Sequence, residues 1–197
     1  MKKNTRGLPW AMMALVMGLM VPGAASASAE LGLDGLGLEA RFIDPSAGDG
    51  TVGIGALVDL GGFTPNLRLE ARTDYWSNSE NVAGGKATAR DIAVGARSKY
   101  VFPVSNPSVR PFAGAGLGIH FLHAEVNVPE QNIGGLVIPA MQVEGSATKL
   151  GLDIGGGMNY FFNPATSLLS ELWFTIVDGG TDLSLGLGVV WHLGSAK

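Results

Sequence analysis

The 197-residue sequence contains no cysteine, which removes disulfide frameworks, thiolate metal sites and cysteine nucleophiles in one step. Charge is scarce as well: Asp, Glu, Lys and Arg make up 15% of the chain, against ~25% in ordinary soluble domains. A water-facing surface is hard to cover with so little. Yet no uninterrupted apolar run reaches the ~18 to 20 residues that a spanning helix needs, so a helical membrane protein is excluded too. There is no excess of basic residues; the formal net charge is −4 and the pI about 5.3. The electrostatic footprint of a nucleic-acid binder is therefore absent. What the chain does have is 46% hydrophobic residues and 30 glycines. Helical periodicity is hard to find in it anywhere.

Residues 1–29 have the three-part layout of a secretory signal peptide. Lys2, Lys3 and Arg6 come first, then an apolar stretch from Trp10 to Val21, then Pro22, Gly23 and a run of small residues. The apolar stretch is too short to cross ~30 Å of hydrocarbon as a helix. Ala25-Ser26-Ala27 and Ala27-Ser28-Ala29 both fit the small-residue rule of the cleavage enzyme. Removal of this segment takes the formal charge from −4 to −7. The expected organisation is an export segment, 1–29, and a single domain, 30–197.

From Leu31 onward the period is two, which is the signature of strands whose faces meet different environments. Eight segments carry it. One phase holds Leu36, Leu38, Ala40 and Phe42 in the first, and Leu67, Leu69, Ala71, Thr73 and Tyr75 in the third. In the fifth it holds Ala113, Ala115, Leu117, Ile119 and Phe121, and in the eighth Leu183, Leu185, Leu187, Val189 and Trp191. Across all eight segments this phase contains no charged residue. The opposite phase holds Glu39, Asp59, Glu70, Asp74, Asp91, Asp153, Glu171 and Asp182 together with Arg41, Arg68, Arg72, Arg97, Lys99 and Lys149, interleaved with glycine.

Alternation alone does not say which face points outward, because a soluble barrel is apolar inside and charged outside. Three features decide it. A soluble exterior needs more charge and less glycine. Glycines beside charges suit a narrow lumen, where small residues make room for long side chains. Tyr75, Tyr100, Phe121, Tyr160 and Trp191 lie near the ends of the apolar faces, where a membrane barrel places its aromatic girdles. The expected fold is therefore all-β, an eight-stranded antiparallel up-and-down transmembrane β-barrel. Short turns at Thr64-Pro65-Asn66, Pro103 to Pro107 and Asn163-Pro164-Ala165 fall on the periplasmic side. Asp44 to Gly50, Ser77 to Lys86, Glu125 to Thr148 and Asp178 to Thr181 are read as external loops. Closure leaves no strand edge unpaired in hydrocarbon.

Two stretches carry a resemblance: Val109-Arg-Pro-Phe-Ala-Gly-Ala-Gly-Leu-Gly-Ile, and Gly151-Leu-Asp-Ile-Gly-Gly-Gly-Met-Asn-Tyr followed by a turn and Ser170-Glu-Leu-Trp-Phe. In these the sequence resembles the small outer-membrane β-barrel domain family, which includes OmpA-type transmembrane domains and OmpX-like and OmpW-like proteins. The resemblance covers essentially the whole mature chain. It implies Sec-type export to the outer membrane of a Gram-negative bacterium, assembly by the barrel assembly machinery, and a surround of membrane lipid and lipopolysaccharide. Members of the family commonly end on an aromatic residue, whereas here Leu193 is followed by Gly194-Ser-Ala-Lys197.

The candidate sites are two. Glu39, Arg41, Asp59, Arg68, Glu70, Arg72, Asp74, Arg97, Lys99, Lys149, Asp153 and Glu171 form a lumen charge network, read as a salt-bridged plug because eight strands leave a lumen that side chains fill. Loss of Glu70 is expected to lower heat resistance. The second is the external loop, whose middle, Leu136, Val137, Ile138, Pro139, Ala140 and Met141, is apolar where an exposed loop should be polar. It is read either as a contact surface for an extracellular partner or lipopolysaccharide, or as a hairpin extension or lid.

His120, His123 and His192 are the only histidines and lack a serine at a suitable sequence distance, so they are expected to be structural. Metal ligation by His120 with Glu125 or Asp153 has no recognisable spacing, and Gly114-Ala-Gly116-Leu-Gly118 lacks the helix that a phosphate loop must open. The expected function is structural or surface-interacting, with no enzyme activity and no cofactor. A narrow pore or conduit, a lipid-modifying barrel enzyme and a soluble periplasmic barrel are the alternatives.

Overall fold

In the computed structural model the described residues are 30–45, 49–82, 84–133 and 136–193, so the expected export segment, 1–29, and the tail 194–197 lie outside them. Strict alternation of apolar with polar or glycine residues places successive side chains on opposite faces and leaves only extended chain. The strands that result are β1 (Glu30–Pro45), β2 (Thr51–Thr64), β3 (Leu67–Val82), β4 (Gly85–Val101) and β5 (Val109–Val128). A small pair follows, β6 (Gln131–Ile133) and β7 (Leu136–Ile138), then β8 (Met141–Asn163), β9 (Thr166–Val177) and β10 (Gly180–His192). β1–β5 with β8–β10 make a closed eight-stranded ring in the order β1-β10-β9-β8-β5-β4-β3-β2, antiparallel throughout, and β6-β7 forms a separate two-stranded sheet. The expected topology is the observed one.

The apolar phase faces outward. Leu38 is 59% exposed while Glu39, next in sequence, is 5% exposed, and the same contrast recurs around the ring. Tyr75 and Phe121 stand on the outer face toward the end with the long hairpins. Tyr100, Tyr160 and Trp191 stand there at the end with the short turns. Tyr100 meets Phe102, and Tyr160 meets Phe162, edge to face at 5.2 and 5.5 Å. Turn residues close the short connections: Leu67 N donates to Thr64 Oγ1 at 3.1 Å, and Ala165 N to Asn163 Oδ1 at 2.9 Å, as such side chains do in tight turns.

Of the expected external loops, Ser77 to Lys86 is instead ladder, and Glu125 to Thr148 follows the hairpin-extension reading over most of its length. The β3–β4 pairing continues from Ser77↔Arg90 to Val82↔Gly85, and the β5–β8 pairing runs through Glu125↔Glu144 to Val128↔Met141. Both hairpins rise beyond the aromatic belt, where water permits backbone pairing to continue although the environment that sets the alternation has changed. β9 and β10 do not rise with them; they turn at Asp178 and Gly179, the latter with φ of 96°. The wall is tall over β3, β4, β5 and β8, and low at β9–β10.

Candidate functional site

Most of the lumen charges stand opposite a glycine; Glu70, between Asp59 and Arg97, is an exception. Glu39 pairs with Gly55 and Gly188, Arg41 with Gly53 and Gly186, Arg97 and Asp153 with Gly116, and Glu171 with Gly157 and Gly186. A Cβ on Gly155 would lie 2.8 Å from the Trp173 ring, and one on Gly55 2.6 Å from Asp74 Oδ1. The glycines of the sequence are thus the space into which the long side chains fold.

Glu171, 1% exposed, is the centre of the network. Its Oε1 accepts from Arg72 Nη1 at 2.9 Å and from Arg97 Nη1 at 3.2 Å, and its Oε2 accepts from Lys99 Nζ at 3.3 Å. Each cation is shared with a further acid. Arg72 grips Asp74 through Nε and Nη2, both at 2.8 Å, and also reaches Glu39. Arg97 Nε donates to Asp153 Oδ2 at 2.9 Å, and Lys99 Nζ to Glu70 Oε2 at 2.5 Å. Arg41 donates to Asp74 at 2.9 Å and to Ser184 Oγ, while Thr175 Oγ1 donates to Asp153 at 2.7 Å. Nine charged side chains from five strands, Glu39, Arg41, Glu70, Arg72, Asp74, Arg97, Lys99, Asp153 and Glu171, are joined in this way.

Three residues of the expected network stand apart. Asp59 and Arg68 form a separate group at the short-turn end. There Arg68 donates to Asp59 Oδ2 through Nε at 3.1 Å and Nη2 at 2.8 Å, and to Asp34 at 2.7 Å. Lys149 is not a lumen residue in the expected sense: its Nζ donates to the Asp178 carbonyl at the rim, because the low β9–β10 turn lies within reach there. Glu70, which shares a wall with Arg68 and Arg72 in sequence, has Lys99 as its nearest partner, with Arg72 at 3.7 Å. Glu171, not Glu70, is the hub.

The sequence reading missed an apolar half of the lumen. Leu57, Phe112, Leu169, Trp173 and Val190 are buried together, and Arg97 lies over the Trp173 ring at 3.9 Å, as Lys99 lies over Phe112 at 4.5 Å. Cation–ring contacts of this kind join the charged and apolar halves. The signal was present in the inward phase, where Leu57, Phe112 and Trp173 interrupt glycines and charges. A depression opens at each end of the barrel. The one at the hairpin end reaches Trp76, Asp91 and His120, and the one at the turn end Asp59, Arg68 and His192. Glu39, Glu171 and Trp173 line neither of them.

The histidines acquire partners that sequence distance concealed. His120 Nδ1 meets Asp91 Oδ2 at 2.7 Å, His192 Nε2 meets Ser167 Oγ at 2.9 Å, and His123 Nδ1 meets Ser146 Oγ at 2.9 Å. Both serine contacts join neighbouring strands of the ring, across 25 and 23 residues of chain respectively. Ser167 is fully buried, and Phe161 stacks on His192 at 4.8 Å. Among the described residues no group of three His, Asp or Glu side chains suits a metal ion. In the second candidate site, Leu136, Val137 and Ile138 fall in β7, Pro139 and Ala140 link it to β8, and Met141 begins β8 opposite Val128. Val137 and Met141 are exposed.

The family model described as outer membrane protein beta-barrel domain matches residues 11–192. Comparison with curated proteins gave no match. Among solved structures, the chain is similar to Neisserial surface protein A, with 19% identity over 80% of this chain and 95% of that one and a TM-score of 0.55. A major outer membrane protein of Thermus thermophilus shows 14% identity over 81% and 99% of the two chains, also with a TM-score of 0.55. The attachment invasion locus protein Ail of Yersinia pestis shows 13% identity over 85% and 100%, with a TM-score of 0.51. At these identities the likeness is one of fold.

Proposed function

The chain belongs to the outer membrane protein beta-barrel domain family, and on that footing we propose that it is a closed, non-conducting barrel with a structural and surface-interaction role carried by its outer hairpins. The observation that carries this reading is that Glu39, Glu171 and Trp173 lie between the two end depressions and line neither. An ion entering from either side meets a bidentate arginine, a shared carboxylate and a buried indole. Moving them apart means separating charges in a low-dielectric lumen, which commonly costs ~3 to 5 kcal/mol for one broken pair.

The reading assigns no catalytic step: Ser167, beside His192, is fully buried, and Ser146, beside His123, stands on the exposed outer hairpin. It includes export with loss of residues 1–29, assembly by the barrel assembly machinery, and a surround of lipid and lipopolysaccharide against the exposed apolar belt. Intact mass separates mature chains that begin at Ser28 from those that begin at Glu30, the first residue of β1.

Planar-bilayer recording of protein that migrates anomalously without boiling tests the central point. Flat current is expected under either polarity. Discrete conductance steps in the unboiled form would overturn it in favour of a narrow pore.

A further inference from the structure

The depression at the hairpin end is lined by four aspartates, Asp74, Asp91, Asp153 and Asp182, with His120 and the guanidinium groups of Arg41, Arg72 and Arg97. Those guanidinium groups are already shared. Arg41 and Arg72 hold Asp74, Arg97 holds Asp153 beside Thr175, and Arg72 and Arg97 also reach Glu171 below. Of the eight acids and six bases in the inward phase of the ring, Asp59 and Arg68 pair at the far end, which leaves seven acids against five bases above them. The upper lumen is therefore short of positive charge, and the shortage falls on Asp91. This residue is 2% exposed; its Oδ2 meets His120 Nδ1 at 2.7 Å, and its Oδ1 has no hydrogen-bond partner. A buried carboxylate oxygen without a donor is costly.

Asp91 also stands at the foot of an apolar strip. Its neighbours across the sheet are Trp76 on β3 and Leu122 on β5, and Leu122 pairs in turn with Ala147 on β8. Trp76 lines the depression with it. By the alternation of the strands, the same face carries Ala89, Ala124 and Gly145 in the next row up, then Ala87, Val126 and Val143. In β5 the strip runs from Leu122 to Val128, about 20 Å of strand, and both Val126 and Val143 are exposed. An acid at the base, an indole beside it and an apolar rise above it thus make one continuous surface over the barrel mouth.

We propose that the hairpin-end depression binds the primary ammonium group of an amphipathic amine. Asp91 Oδ1 accepts a hydrogen bond from the ammonium, Trp76 offers it an aromatic ring, and the alkyl stem lies along Leu122, Ala124 and Val126. The donor set selects this class. Among the described residues no three His, Asp or Glu side chains suit a metal ion, so a cation that brings its own N–H donors fits the orphaned oxygen better than a bare one. The strip selects the stem. A lysine side chain of a partner protein carries the same head group, but its stem is too short to follow the apolar rise. The inference goes beyond the surface role proposed above, because it gives the barrel mouth an occupant.

The test uses the full mature chain in a non-ionic detergent and the fluorescent amine dansylcadaverine, which carries a primary ammonium on an alkyl stem with an apolar fluorophore at the other end. The same probe acetylated on its amine is the control, and empty micelles give the background. Asp91→Asn keeps the shape at the base and removes the charge, while Val143→Arg sets a cation on the strip. A saturable fluorescence enhancement is expected with the wild type. Binding about tenfold weaker is expected for the acetylated probe and for Asp91→Asn, the effect of losing one hydrogen bond to a charged group. Val143→Arg should also bind the amine more weakly, with its heat-dependent migration that of the wild type. Equal binding of the two probes, absence of a saturable signal, or wild-type affinity in either variant would each overturn the proposal. So would displacement of the probe by N-acetyl-lysine methylamide as readily as by octylamine, which would pass the site to a partner's lysine. Conductance measured on the same preparation reports on the closed barrel separately, so a silent barrel that ignores the amine refutes only this site.

Discussion

Glu171 satisfies Arg72, Arg97 and Lys99 with two oxygens, so its removal leaves three buried cations with one partner fewer each. Glu171→Ala is expected to lower barrel stability by about 3–5 kcal/mol, the range for breaking a buried pair. Glu70→Ala should cost less, because it strips only the Lys99 contact and the longer Arg72 one. Lys149→Ala should change stability by under about 0.5 kcal/mol, as surface changes do, since its partner is a rim carbonyl. The fraction of folded band on unboiled gels, followed against temperature, ranks the three.

Gly155→Val should fall with the damaging group. Its side chain would enter the space held by the Trp173 ring, and overpacking of this sort costs ~1–3 kcal/mol. At this scale the sequence showed which residues face inward but not which meet. Parity put Glu70 beside Arg68 and Arg72 on one wall, whereas the register around the closed ring brings Glu171 of β9 to Arg72 of β3. A contact across the lumen leaves no trace in local spacing, and neither do the pairings of His192 with Ser167 and His123 with Ser146.

Strand existence was legible because the belt imposes one strict alternation. Strand ends were not, because the alternation reverses instead of stopping. In β5, Leu122, Ala124, Val126 and Val128 alternate with His123, Glu125 and Asn127, a pattern as regular as the one below it but in the opposite phase. Judged by the belt's phase it looks like a loop. The same reversal holds in Met141 and Val143 against Gln142 and Glu144. The extension pairs only within its own hairpins and with β4, so the ring beneath does not depend on it. Replacing residues 123–146 by a two-residue Asn-Gly turn, a sequence suited to hairpins, is expected to leave the unboiled migration and its heat transition unchanged. If the shortened chain failed to shift on boiling, the hairpin would be part of the barrel's stability instead of a platform built on it.

At the scale of the whole molecule, the β5–β8 part of the sheet exchanges the polarity of its two faces partway up, at the level where the strands leave the apolar belt. Below that level, Leu117 faces outward between the aromatic rows marked by Tyr100, opposite Ala113, and by Phe121. Above it, Val143 is about as exposed as Leu117 but faces the axis in water. Two chemically similar substitutions at equally exposed positions should therefore have unequal effects. Leu117→Arg sets a guanidinium near the middle of the hydrocarbon, at ~2 to 4 kcal/mol, and should reduce the amount of folded barrel recovered from the outer membrane. Val143→Arg meets only water and should leave recovery and heat shift at the wild-type level. Equal loss for both would mean that the hydrocarbon extends to the β5–β8 tip, and equal tolerance would mean that the apolar belt does not face lipid at all.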